Sequence, residues 1–250
     1  VHSWRTVENS AAYLIPYLLP GTSLLDVGSG PGTITLDFAQ RVAPGRVVGI
    51  DQQQDLIDRA AANAAEAGID IDYRVGDIYA LDFPDDTFDI VHAHQVMQYM
   101  VDPVAAFREL RRVTKPGGIV GVRDVDYGGV RWFPWVPEIE IWRDLYQQVA
   151  RANQGEPDAG PQLKSWALEA GFASVETTAT IWCFSTPADR EWWGGSWADR
   201  VVHSEFAAQA IRTGHATQAG LERIAAGWRE WVDAPNGVFN MPHNEVIARK

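Results

Sequence analysis

The sequence predicts an α/β fold on a doubly wound, mostly parallel sheet, and three observations carry that expectation. Short apolar runs alternate with helix-length amphipathic stretches from residue 22 to residue 126. Gly, Pro or Asp residues bound most of these runs, and a glycine-rich loop follows the first directly. Strands alternating with helices of roughly 10–15 residues pair in parallel and are covered on both faces.

Ser23 to Val27 is the first strand, entered from a Pro20-Gly21 turn. Thr33 to Val42 has helical spacing, with Ile34, Phe38 and Val42 on one face. Arg46 to Asp51 is a second strand, and Gln54 to Ala67 an alanine-rich helix stopped by Gly68. Ile69 to Val75 and Phe88 to Ala93 are the third and fourth strands. Asp102 caps a helix that opens on Pro103 and runs to Val113. Lys115-Pro116-Gly117-Gly118 then turns the chain into a fifth strand, Ile119 to Asp124.

Later segments depart from this alternation. Glu138 to Arg151 reads as an amphipathic helix with Ile141, Trp142, Leu145 and Val149 on its apolar side. Pro161 to Ala170 is a further helix and Ser174 to Phe184 a long strand. Helices are expected over Ala188 to Arg200, Ser204 to Thr213 and Gln218 to Trp231, with Val246 to Arg249 as a last strand.

Composition narrows the function classes. The 250 residues suffice for one α/β domain with insertions, and no apolar run is long enough to span a bilayer. The formal charge of −12 argues against a nucleic-acid partner, which would need clustered Lys and Arg. A single cysteine, Cys183, leaves no internal disulfide and points to a reducing cytoplasm. All 11 tryptophans except Trp4 lie beyond Arg131, as though an aromatic part had been added to a plain scaffold.

In a sheet of this kind ligands sit beyond the carboxyl ends of the strands, where the strand order reverses. Gly28-Ser29-Gly30-Pro31-Gly32 follows the first strand, and glycines there let a ligand approach the backbone closely. Asp51 ends the second strand, where an acid can bind two ribose hydroxyls, and Asp77 follows the third, where it could accept from an adenine amino group. Two acids suit a nucleoside without phosphate. The glycine spacing is not that of a nicotinamide fingerprint, since Thr33 stands where the last glycine belongs, and no G-K-[ST] phosphate loop exists. A nicotinamide-dependent oxidoreductase and a non-catalytic binding module remain the alternatives to an enzyme of another class.

Leu24 to Gly32, Gly76-Asp77-Ile78 with Leu81 to Asp89, and Leu110 to Gly118 together resemble the motif series of class I S-adenosylmethionine-dependent methyltransferases. The likeness is to the ubiquinone/menaquinone-biosynthesis-like type and covers about residues 1 to 125. Trp4 to Leu14 is similar to a subgroup of small-molecule enzymes, some of which methylate thiols. The resemblance implies a Rossmann-like sheet, mostly parallel with an antiparallel last strand. One methyltransferase domain is expected over 1–250, with an N-terminal helix (1–21) covering the site and a cofactor core (22–126). Beyond Asp124 the chain departs from the family's bare scaffold, and 127–155 and 187–234 are expected as helical lid insertions for substrate. Asp26, Gly28 and Gly30 would meet the methionine half of S-adenosylmethionine, and Asp51 the ribose. Gln52 would lie beside the adenine, and Asp77 with Ile78 at its edge. The segment after the fourth strand, His94-Gln95-Val96-Met97, would place a backbone carbonyl near the ammonium. Arg5 would pair with the carboxylate, because a guanidinium can grip one through two hydrogen bonds. S-adenosylhomocysteine is then the product.

For chemistry, an acceptor hydroxyl or thiol must lose its proton, and the candidate bases are His92, His94, Asp124, Asp126, Tyr127, His203 and His243. His94 leads, because it stands where the fourth strand opens onto the site. His92 and His94 point to one face of their strand, but two ligands without a third make no metal site. Tyr127, Trp132, Trp135, Trp193 and Trp197 are the candidate lining for a flat or hydrophobic small molecule.

Overall fold

The computed structural model describes residues 4–250 and divides into two compact units. The first runs through Asp124 and takes in Ala159–Ala179 and Asn244–Lys250; the second comprises Val125–Asp158 and Thr180–His243. The two expected lid insertions both fall in the second unit, together with the ends of the strands flanking them.

In the first unit the parallel strands lie in the order β3 (Asp72–Val75), β2 (Val47–Asp51), β1 (Leu24–Val27), β4 (Phe88–His94), β5 (Thr114–Val125). The order reverses beside β1, which pairs with β2 on one side and β4 on the other. Beyond β5 comes β8 (Val238–Arg249), which in turn pairs with β7 (Ser174–Phe184). The amide of Gly117 donates to Lys250 and that of Asp126 to Pro242, so β8 runs antiparallel to β5. The expected last strand is therefore present and begins eight residues earlier, since 246 − 238 = 8.

Alternation along the strands distributes side chains between two cores. Leu25, Val27, Val48, Ile50, Val91 and Ala93 pack on one face with α4 (Pro103–Val113) and α6 (Ala159–Glu169). Leu24, Val47, Ile90 and Ile119 pack on the other with Ile34, Phe38 and Val42 of α2 (Thr33–Val42). On that second face the same two-residue period brings Asp26, His92, His94 and Arg123 into one polar row, with Asp26 opposite His92 and His94 opposite Arg123.

The N-terminal stretch departs from the single helix expected over 1–21. Its first three residues lie outside the described ones, and the rest forms one α-turn, α1 (Val7–Ser10), and a 3₁₀ segment, Ala12–Tyr17. Ala11 between them leaves the helical region at φ −144°, and Pro16 cannot donate a backbone hydrogen bond. Val7, Ala11 and Leu14 still bury themselves in the α2 core.

The second unit has a core of its own. It contains β6 (Arg131–Phe133), α5 (Pro137–Ala152), α7 (Pro187–Arg190), a π-helical segment (Glu191–Gly195), α8 (Ser196–His203), α9 (Glu205–Arg212) and α10 (Gln218–Asp233). Trp142 of α5 meets Trp197 of α8 edge-on at 4.7 Å and Trp228 of α10 at 4.9 Å. The buried face of α5 is Ile139, Trp142, Leu145 and Val149; Ile141, expected inside, is 53% exposed. At 3.6 residues per turn, Ile139 rather than Ile141 shares a stripe with Trp142 and Leu145.

Candidate functional site

A cavity of about 400 Å³ opens in the first unit around the β1 glycine loop. Val27 ends β1 at Gly28, whose φ of +71° and close neighbour Val96 admit no side chain: a Cβ there would stand 2.4 Å from the Val96 methyl. The loop is tied down by the Ser29 amide on Ile50 and the Gly32 amide on Ser29. Asp51 braces it further, accepting from the Gly30 amide and from the Gln53 amide, each at 3.0 Å. Both bonds spend backbone donors and leave lone pairs of the carboxylate for a ligand's hydroxyls.

Asp26 reaches the cavity from β1 while 3% exposed. Its oxygens accept from the Thr35 hydroxyl at 2.5 Å and face Nδ1 of His92 at 2.7 Å. His94, 5% exposed, lines the cavity with its ring parallel to that of His92 at 6.5 Å. Gln95 follows in a left-handed conformation, φ +54°, its amide donating to Arg123. A non-glycine residue in this region stores strain, which clusters at functional sites. The Gln95 carboxamide oxygen accepts from the Arg5 guanidinium, which brings the N-terminal segment to the cavity wall.

Of the residues expected at the cofactor, Arg5, Asp26, Gly28, Gly30, Asp51, Gln52, Ile78, His94 and Gln95 line this one cavity. Asp77 does not. Its side chain turns back to accept from the Tyr79 amide at 3.0 Å and stands exposed, while its neighbours Gly76 and Ile78 form the wall. Sequence reasoning missed Leu56, Tyr99 and Met100, which with Val96 complete the apolar part of the lining. The available signal was the apolar pattern directly after Gln95, at the carboxyl end of β4.

The five residues expected to line an acceptor pocket lie in the second unit, and none lines this cavity. Tyr127, Trp132, Trp193 and Trp197 are buried in that unit's aromatic core; Trp135 is 57% exposed and stacks on Trp132 at 4.8 Å. Large aromatics with so much area to bury fill the core of a small unit before they serve a ligand. Of the other candidate bases, Asp124 accepts from the Gln98 amide, and His243 is buried 4.3 Å from Trp182. Burial raises the Asp126 carboxyl above its ordinary value. Among the described residues no three His, Cys, Asp or Glu side chains converge as a metal site.

The lining fits a nucleoside joined to an amino acid. Ser29 Oγ is buried beside the cavity without a hydrogen-bond partner, Asp51 offers carboxylate lone pairs, and Ile50, Leu56 and Ile78 supply apolar wall. The glycine loop carries no cation to balance a pyrophosphate.

A family model described as "Methyltransferase domain" matches residues 18–178. An uncharacterized methyltransferase of Schizosaccharomyces pombe is 36% identical over 261 residues, covering 100% of this chain and 92% of that protein. Among solved structures, the YcgJ protein of Bacillus subtilis superposes with a TM-score of 0.65 at 19% identity, covering 97% of this chain and 98% of that one. Phosphoethanolamine N-methyltransferase 2 of Haemonchus contortus, solved with S-adenosylhomocysteine, gives a TM-score of 0.57 at 20% identity over 97% of this chain and 53% of that one. The chain therefore belongs to the methyltransferase domain family, with a class I, Rossmann-like fold. It is an S-adenosylmethionine-dependent methyltransferase.

Proposed function

We propose that this methyltransferase acts on a small-molecule acceptor with an oxygen, sulfur or carbon nucleophile. The observation that carries the reading is the character of the cavity wall beyond the glycine loop. Val96, Tyr99 and Met100 form it, Tyr99 is 63% exposed, and Arg5 is the one Lys or Arg in the lining. Such a wall suits an uncharged or apolar metabolite and offers nothing to a phosphate backbone, as does a net charge of −12.

When bound, the cofactor supplies an electrophilic methyl group on a sulfonium. Gly28, Gly30 and Asp26 would hold its methionine half, with Arg5 at its carboxylate; Asp51 would take the ribose, and Gln52 and Ile78 would flank the adenine. Asp77, exposed between the lining residues Gly76 and Ile78, would have to turn from the Tyr79 amide to meet the adenine amino group. An acceptor held in line with the cofactor's methyl group, with water kept out, would draw much of its acceleration from positioning by these residues. His94 takes the proton of a hydroxyl or thiol acceptor, being the cavity-lining imidazole. Within the second unit Phe133 and Trp135 are the accessible large aromatics, 58% and 57% exposed.

Incubation with methyl-labelled cofactor and fractionated metabolite extract, followed by mass spectrometry, tests this. Labelled product is expected in the small-molecule fraction and none in RNA or DNA. Label confined to nucleic acid or protein would overturn it.

A further inference from the structure

Asp26 does not meet the cavity as a lone carboxylate. It stands directly opposite His92 in the β1–β4 pairing, on the sheet face that α2 covers with Thr35 and Phe38. His92 is fully buried, with Nδ1 2.7 Å from Asp26 and its ring edge-on to Phe38 at 4.9 Å. Its Nε2 is buried too and has no hydrogen-bond partner. An imidazolium at this position would bury a second N–H with nothing to receive it, at the full cost of desolvation. The neutral ring protonated on Nδ1 leaves only a lone pair there and still donates to Asp26.

We propose that His92 is a positioning residue for the cofactor: as a neutral ring donating from Nδ1 it holds the Asp26 carboxylate oriented at the cavity wall. The pair then carries one net negative charge. The methyl donor bears an ammonium and a sulfonium against one carboxylate, whereas the demethylated product has lost the sulfonium charge. The Asp26–His92 pair thus favours donor over product. The inference rests on the cofactor occupying the glycine-loop cavity.

Three variants separate the two ideas, with S-adenosylmethionine and S-adenosylhomocysteine affinities read by calorimetry. Asn places an amide N–H close to the position of Nδ1; Phe has no donor. His92→Phe is expected to weaken the donor by about tenfold and the product by about two- to threefold. His92→Asn should restore both to within about threefold of the parent protein. In ¹⁵N NMR of the parent protein near neutral pH, His92 should carry its proton on Nδ1 alone. An imidazolium signature, equal losses for both ligands in His92→Phe, or failure of His92→Asn to restore would each overturn the proposal. Near-UV circular dichroism checks that His92→Phe folds; if it does not, the spectrum and the Asn variant decide. Gly28→Val tests the site itself. Normal binding by that variant would remove the cavity reading and this proposal with it. Lost binding in Gly28→Val beside unchanged ratios in His92→Phe would remove the proposal alone.

Discussion

At Gly28 two constraints act at once, and they can be pulled apart. The backbone sits at φ +71°, and a Cβ would also strike Val96 at 2.4 Å. Gly28→Ala is expected to cost about 1–2 kcal/mol for the left-handed backbone, and more for the clash. Adding Val96→Ala should recover only the clash part, measured as a partial return of the melting temperature. Full recovery would mean that the backbone term is negligible. Asp51 does a different job, since its two accepted amide bonds hold Gly30 and Gln53 in place before any ligand arrives. Asp51→Ala should weaken S-adenosylhomocysteine by at least about tenfold, because charge-assisted bonds of this kind contribute roughly 1.5–3 kcal/mol. Calorimetry giving unchanged affinity would remove Asp51 from the site.

At the scale of elements, period-two strands and a helix stripe decide which residues can meet. Asp26, His92 and His94 share a face because they are spaced by two along their strands and paired in register across them. That sharing was legible in the H-x-H pattern of β4, but the partner of His92 was not: register between distant strands is a tertiary property. The aromatic elements were legible in part. The tryptophan-rich segments were recognisable as additions, yet most of their rings pack on one another through α5, α8 and α10. Composition alone cannot tell a core from a pocket. Trp142→Ala should therefore destabilise the protein by about 3–5 kcal/mol, seen as a large drop in the denaturant midpoint. A change below about 1 kcal/mol would mean that the ring is not a core residue.

For the whole molecule, the carboxylate balance sets the response to acid. The Arg112 guanidinium holds Glu109 below its ordinary value of 4.5, and the Arg74 guanidinium holds Asp72 below 3.8. A carboxyl lowered in the folded state contributes stability that is complete above its unfolded value and lost as pH falls through the folded one. Melting temperature should thus fall as pH drops below about 4.5, and Glu109→Gln should flatten that fall. An identical acid slope in the variant would show that Glu109 has no part in it. Glu109 also accepts from the Leu81 amide, so its loss loosens the segment following β3 as well.

What the sequence by itself determined was the cofactor scaffold. Its strands, helices and turns are local, so spacing and turn chemistry reveal them, and the glycine loop with Asp51 marks the ligand end of β1 and β2. Tertiary structure decided the rest. The N-terminal helix broke at Ala11, Asp77 turned to its own backbone, and Val96, Tyr99 and Met100 became cavity wall. It also joined two insertions, separate in sequence, into one tryptophan-cored unit, since neither can bury its apolar face alone. Burial and register depend on which distant segments meet, and that information is distributed over the whole chain.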